Sequence, residues 1–165
     1  MTNSLILSHE AIALKLDRIA WQILEEHFGD KKIVLVGLAD KGVFIAQEIE
    51  KRISKFSDVG VHCISIEVNK ETPLRSDVIL GNSKLVNNAS VVLVDDVLNS
   101  GKTMVAALKE VLNHIPKKVS VAVLANRDHH KFPIQANFVG ISLATTVKEH
   151  ITFSLEEGKM SVWLD

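Results

Sequence analysis

Val91-Val-Leu-Val-Asp-Asp-Val-Leu-Asn-Ser-Gly-Lys-Thr103 opens with four aliphatic residues, continues with two adjacent carboxylates and two more aliphatics, and closes in a small polar loop. A run that is apolar at every position, rather than at alternate ones, suits a strand buried on both faces of a parallel sheet. The pattern predicts a strand at Val91–Val94, a helix over Thr103–His114 and a further strand at Val119–Leu124. Upstream the same order recurs: a strand at Ile33–Val36, a turn over Gly37–Gly42, a helix over Val43–Ile53 with Phe44, Ile45, Ile49 and Ile53 on its apolar side, and a strand at Val59–Val68. Before these, Ile12, Leu16, Ile19, Ile23 and Leu24 mark a helix from Ser8 to His27, capped by Ser8 and stopped by Gly29. Alternation at this spacing predicts an α/β fold, a mostly parallel sheet with helices on both faces.

Two regions depart from the alternation. Asn69–Ala89 is polar, carries Pro73 and Gly81, and runs for about twenty residues without a strong period, the length at which a connection becomes a lid or binding loop. After Asn126, β-like stretches at Phe138–Leu143, Ile151–Leu155 and Met160–Leu164, with the turn Glu156-Glu-Gly-Lys159, predict a small antiparallel C-terminal appendage. No repeat or linker divides residues 1–165, which read as one domain.

With 165 residues and 47% hydrophobic content the chain fills one core without disulfides. Nineteen Lys+Arg against twenty Asp+Glu give a net charge of -1, so no global field attracts nucleic acid or an anionic membrane, and any basic surface is local. The single cysteine, Cys63, fits a reducing compartment and a cytoplasmic location. The apolar runs are strand-length, and His9, Glu10, Lys15 and Asp17 interrupt the first of them, so neither a spanning helix nor a signal peptide is expected.

The chemistry gathers where the central strand ends. In open α/β sheets ligands bind beyond the carboxyl ends of the strands, where Asp95 and Asp96 are expected to fall. The loop Asn99–Thr103 offers backbone N–H groups, a helix N-terminus and the hydroxyls of Ser100 and Thr103, a set suited to phosphate. Carboxylates beside a phosphate cradle suit a ligand with vicinal hydroxyls and a phosphate, such as a ribose 5-phosphate. Gly101-Lys-Thr103 is not a Walker A loop, because that motif needs a glycine at position 96, which is Asp. A Gly-x-Gly-x-x-Gly fingerprint is absent, and a receiver domain would carry its acidic pair after the first strand.

Val91–Thr103 resembles the phosphoribosyl pyrophosphate (PRPP) signature of the type I phosphoribosyltransferases. The resemblance implies that Asp95 and Asp96 hold the ribose hydroxyls and that Asn99, Ser100, Gly101, Lys102 and Thr103 hold the 5-phosphate. It also implies Mg2+ carried by PRPP, touched by the protein through Asp95 and Asp96 only indirectly. Gly37-Leu-Ala-Asp-Lys-Gly42 matches the family's pyrophosphate loop in position, with Asp40, Lys41 and Gly42 at the leaving group and Lys41 as its cation. Asn69–Ala89 corresponds to the flexible catalytic loop, with Lys70 in place of a loop arginine. The implied catalytic set is Asp95, Asp96, Lys70 and Lys41.

Over nearly the whole chain the likeness is to the PyrR family, pyrimidine operon attenuators that are also uracil phosphoribosyltransferases. Leu5-Ile-Leu-Ser-His-Glu-Ala-Ile12 resembles its N-terminal segment. Arg127-Asp-His-His-Lys-Phe-Pro-Ile134 with Ala136-Asn-Phe-Val-Gly140 resembles its base-pocket region, which implies Asn126, Arg127, Val139, Gly140 and Ile141 as base readers, with His129 nearby. The implied reaction is PRPP-dependent transfer to a nucleobase, uracil first, by a homodimer or higher homo-oligomer. RNA attenuation or nucleotide sensing is the regulatory alternative, disfavoured for RNA by the balanced charge. A hypoxanthine/guanine enzyme is the purine alternative, against which stand Asn99 and Asn126 where that branch places an aspartate and a lysine. Three family arginines are lysines here, at 41, 70 and 102, which keep charge but lose bidentate phosphate contacts. The seven histidines show no zinc spacing, and Trp21 and Trp163 read as core or interface packing.

Overall fold

The computed structural model describes residues 3–146 and 148–165. Strand β1 (Ser4–Leu7) leads into helix α1 (His9–Glu26), then β2 (Lys32–Leu38), α2 (Ala39–Phe56), β3 (Gly60–Glu67), β4 (Ile79–Leu80), β5 (Ser90–Leu98), α3 (Lys102–Val111), β6 (Lys118–Arg127), β7 (Phe138–Leu143), β8 (Ile151–Glu156) and β9 (Lys159–Leu164). Ser8 caps α1, its Oγ accepting from the Ala11 N–H at 3.3 Å, and Ile12, Leu16, Ile19, Ala20 and Ile23 form the buried face.

Six strands form the main sheet in the order β4-β3-β2-β5-β6-β7, parallel throughout except for the edge strand β4. The apolar runs that predicted buried strands divide their side chains between two cores. From β2, Ile33 and Leu35 join the core beneath α1 and α2, and Val34 and Val36 join the core beneath α3. Strands β5 and β6 divide likewise, Val92 and Leu124 to the first side, Val91 and Val123 to the other. Chain order runs outward from the middle: β2 to β3 by way of α2 on one face, β5 to β6 by way of α3 on the other. The crevice between β2 and β5 is therefore the sheet's topological switch point.

Four expectations change. Helix α2 begins at Ala39 rather than Val43, because Gly37 and Gly42 serve close packing rather than a loose turn. A Cβ on Gly37 would lie 2.4 Å from Val43 Cα, and one on Gly42 2.7 Å from the Val94 carbonyl oxygen. Strand β5 continues through Asp95 and Asp96 to Leu98, held by in-register pairing with β6 as far as Leu98 opposite Asn126. The segment 69–89 carries β4 and a 3-10 turn at Ser83–Val86, whose Val86 joins the core under α3, so its irregular part is shorter than expected. The C-terminal appendage is a three-stranded sheet in the order β1-β9-β8, completed by the N-terminus, while β7 belongs to the main sheet. No helix among the described residues is long and apolar enough to cross a membrane.

Strand β7 comes very close to β6 at Gly140, where a Cβ would lie 2.3 Å from the Leu124 carbonyl oxygen. Gly140→Ala is therefore expected to lower stability by about 1–3 kcal/mol, read as an earlier urea midpoint. An unchanged midpoint would show that this approach does not constrain the sheet.

Candidate functional site

A cavity of about 620 Å³ opens at the carboxyl end of β2 and β5, at the switch point. The strand-to-helix junctions of both strands border it. At the first, β2 passes directly into α2 through Ala39, whose φ of 52° lies in the left-handed region that a non-glycine residue adopts only under constraint. No side chain caps α2, so its first-turn N–H groups are left for whatever occupies the cavity. At the second junction Gly101, φ 85°, turns the chain into α3, again without a capping side-chain hydrogen bond, while Ser100 Oγ accepts from the Lys102 N–H at 3.3 Å. Two helix N-termini thus border one cavity.

Asp95 and Asp96 line the same space. Asp95 Oδ1 accepts from the Asp96 N–H at 2.9 Å, which fixes the first carboxylate. Burial, and after it the charge of Asp96, holds the Asp95 carboxyl well above its ordinary value of 3.8, while the Asp96 N–H and the charge of Lys70 pull the other way. Lys70, in the segment after β3, lines the cavity with Asp40 and Lys41 from the first turn of α2. Lys41 Nζ donates to the Phe153 carbonyl of β8 at 2.6 Å and so ties the small sheet to the cavity wall.

Of the residues picked out in the sequence, Asp40, Lys41, Lys70, Asp95, Asp96, Asn99, Ser100, Gly101 and Thr103 meet around this cavity. Lys102 opens α3, and Gly42 packs against β5, neither of them lining it. The base-reading set lies outside. Arg127 donates to Thr145 Oγ1 at 2.5 Å and to the Thr146 carbonyl at 2.6 Å. The carbonyls of Val139 and Gly140 accept from Arg18 Nη2 at 3.0 and 2.8 Å, and Ile141 pairs with Ala125. Asn126 Nδ2 donates to Ser142 Oγ at 3.3 Å, while its Oδ1 is buried without a partner among the described residues. The segment after Arg127 also braces the phosphate-type loop. His130 Nδ1 donates to the Asn99 carbonyl at 2.9 Å, the Lys131 and Phe132 N–H groups donate to the Ser100 carbonyl at 3.0 and 3.1 Å, and Ile134 packs where a Gly101 side chain would stand.

Ile151, Thr152 and Phe153 of β8 also line the cavity and were not legible as site residues. The hairpin itself was legible, but the docking of β8 over the ends of the parallel strands is a long-range event with no local signature.

Comparisons with known proteins show the family and the fold. The family model of the phosphoribosyl transferase domain matches residues 2–157. The chain is 36% identical to the bifunctional protein PyrR of Macrococcus caseolyticus over 95% of its own length and 94% of that protein's. It is also 36% identical to the bifunctional protein PyrR of Clostridium novyi, over 94% and 92%. Among solved structures, a hypoxanthine phosphoribosyltransferase from Staphylococcus aureus superposes with a TM-score of 0.74 at 20% identity, covering 90% of this chain and 80% of that one, a likeness of fold.

The raised Asp95 carboxyl has a stability consequence with a defined sign. A carboxyl whose folded-state value lies above its unfolded one binds its proton more tightly in the folded state, so stability falls as pH rises from the ordinary value through the raised one. Asp95→Asn keeps an acceptor for the Asp96 N–H and removes the charge. It is expected to stabilise the fold by about 1 kcal/mol or more near neutral pH, about 2–4 °C in Tm for a chain of this size, with the gain vanishing near pH 3. A lower Tm for the variant at neutral pH would contradict the assigned electrostatics.

Proposed function

The chain belongs to the phosphoribosyl transferase domain family, and from that premise we propose that the switch-point cavity binds PRPP and transfers its phosphoribosyl group to a nucleobase, with uracil as the base. The single observation that carries this reading is the pair of uncapped helix N-termini on one cavity with two adjacent carboxylates lining it, one anion cradle for each end of PRPP and acceptors for the hydroxyls between. The 5-phosphate takes the Asn99–Thr103 loop, the ribose hydroxyls donate to Asp95 and Asp96, and the pyrophosphate takes the first turn of α2 beside Lys41.

In the transfer the C1–O bond to pyrophosphate breaks, its electron pair leaving with the oxygen, as a base nitrogen bonds to C1 and gives up its proton to solvent. Positive charge develops on the ribose and negative charge on the leaving group. The chain's task is to align the two partners and hold those charges, by positioning and fixed dipoles rather than by a covalent nucleophile. Lys70, whose charge already acts on Asp95, covers the reacting centre from the segment after β3.

The residues present fit a metal that arrives with the substrate. The described residues contain no group of three or more His, Cys, Asp or Glu side chains able to hold an ion by themselves, and Mg2+ commonly binds through one or two carboxylates plus substrate phosphates. Asp95 and Asp96 would hold it indirectly, and it would supply neutralisation of the phosphate charge. We place the reaction in the cytoplasm, where a half-buried free thiol such as Cys63 stays reduced.

Two features favour a second reading, nucleotide sensing with weak turnover. Asp40 lines the cavity at the helix end where a leaving group of the same sign would sit, and Lys41 is committed to the Phe153 carbonyl. Pyrophosphate release with Mg-PRPP, followed for uracil, hypoxanthine, guanine, xanthine and adenine, separates the readings. Turnover with uracil supports the transferase, and PRPP binding without turnover on any base leaves the sensor. Asp95→Asn combined with Asp96→Asn is expected to abolish PRPP binding in calorimetry with the far-UV spectrum unchanged, and retained binding would remove these residues from the site. Asp40→Asn is expected to tighten PRPP binding about three- to tenfold by removing a like charge near the pyrophosphate. Weaker binding would mean that Asp40 contributes a contact rather than a repulsion.

A further inference from the structure

Strand β3 lies next to the edge of the main sheet, and the strand outside it, β4, pairs with it only at Ile66 and Glu67. A last bond from the Gly81 N–H to the Ser65 carbonyl, 2.9 Å, ends that pairing, and at Asn82, φ 45°, the chain turns away into the 3-10 turn. Main-chain groups alternate in direction along a strand, so those of Val61 and Cys63 face outward as the Ser65 carbonyl does. Among the described residues no hydrogen bond reaches them from that side. The sheet therefore has a free edge along Gly60–Ile64. The usual protections of such an edge are missing, since Gly60-Val-His-Cys-Ile64 holds no lysine or proline and pairs with β2 without a bulge.

Beside this edge runs a groove of about 600 Å³ that shares no lining residue with the switch-point cavity. Val43, Gln47 and Glu50 line it from one stripe of α2, Cys63 from β3 and Leu85 from the 3-10 turn. Its lining holds one acid, Glu50, and neither lysine nor arginine. Glu50 has no ion pair among the described residues. Burial, and after it the charge of Glu50, pushes the Cys63 thiol up to about 11, so that charge acts on the face of β3 that carries Cys63. We propose that the free edge takes an extended segment of a partner protein as an added strand, antiparallel to β3 in the line of β4, with a basic residue opposite Cys63 and Glu50 as its counter-ion. Val61 and Cys63 each exchange N–H···O bonds with the residue opposite, whose side chain then stands on the α2 face. Main-chain bonds supply affinity in this mode, and the flanking groove supplies selectivity. The same edge of a second copy would bring another acid and no cation, so charge favours a different, basic segment. The site needs nothing from the switch-point cavity and stands whether or not that cavity binds PRPP.

The probe is acetyl-Thr-Lys-Thr-Val-Thr-amide, which sets lysine opposite Cys63 and valine opposite Val61, titrated into the millimolar range against the isotope-labelled full chain and followed by amide NMR. Shifts and slowed exchange are expected at the Val61 and Cys63 amides, with Asp95 and Asp96 unmoved. The same peptide N-methylated at its lysine and valine cannot donate to the edge and is expected to bind at least about tenfold more weakly. Glutamate in place of the peptide lysine is expected to weaken binding about fivefold or more. Glu50→Lys, with an unchanged Tm showing the fold intact, is expected to reverse that preference. Absence of shifts, equal binding of the N-methylated peptide, a preference that Glu50→Lys leaves unreversed, or shifts confined to the switch-point cavity overturns the proposal. Protection of the Val61 and Cys63 amides that grows with protein concentration in the absence of peptide would assign the edge to a second copy and overturn it as well.

Discussion

The site exists because β5 is hydrogen-bonded on both edges to strands whose onward connections leave on opposite faces of the sheet. Pairing with β2 on one side and β6 on the other fixes the strand's register over its whole length. Since β2 turns into α2 on one face and β5 into α3 on the other, the two helix starts flank a gap that no connection crosses. Asp95 and Asp96 are carried to that gap by the central strand, the least movable element available. The close-packed glycines serve the same end, Gly42 seating α2 against the Val94 carbonyl one residue before the acidic pair.

The two ends of the sheet treat their acids in opposite ways, and the contrast separates scaffold from site. At the amino end Asp30 accepts from Ser90 Oγ at 2.6 Å and pairs with Lys117, and these partners pull its carboxyl below the ordinary range. At the carboxyl end Asp95 is pushed the other way, crowded by burial and by Asp96. A paired acid contributes to stability. An unfavourable, crowded pair in a cavity persists where a ligand supplies the missing donors, the pattern expected of a binding site.

The small sheet is more than an appendage. Strand β8 walls the cavity with Ile151, Thr152 and Phe153, and its Phe153 carbonyl holds the Lys41 ammonium, so substitutions in the C-terminal hairpin are coupled to the first turn of α2. Thr152 Oγ1 donates in turn to Asp165 Oδ2 at 2.7 Å, fastening β8 to the end of β9. The stretch 127–134, which resembles the family's base-pocket region and begins with the expected base reader Arg127, also braces the loop before α3 through three hydrogen bonds to the carbonyls of Asn99 and Ser100.

By itself the sequence determined the strand and helix order, the two-faced burial of the sheet, the acidic pair and the polar loop after it. These are local matters: apolar periodicity, a cap at Ser8, and a signature whose residues act within thirteen positions of one another. Helix and strand ends shifted where long-range pairing or close packing extended them, as at Asp95–Leu98 and Ala39. Tertiary structure alone decided that Ser4–Leu7 joins the C-terminal hairpin, that β8 roofs the cavity, that Lys41 is tethered, and that Val139 and Gly140 spend their carbonyls on Arg18. Each of these joins residues more than a hundred positions apart or sets one sheet against another, and such meetings are settled by which surfaces bury each other best, a quantity no short window of sequence contains.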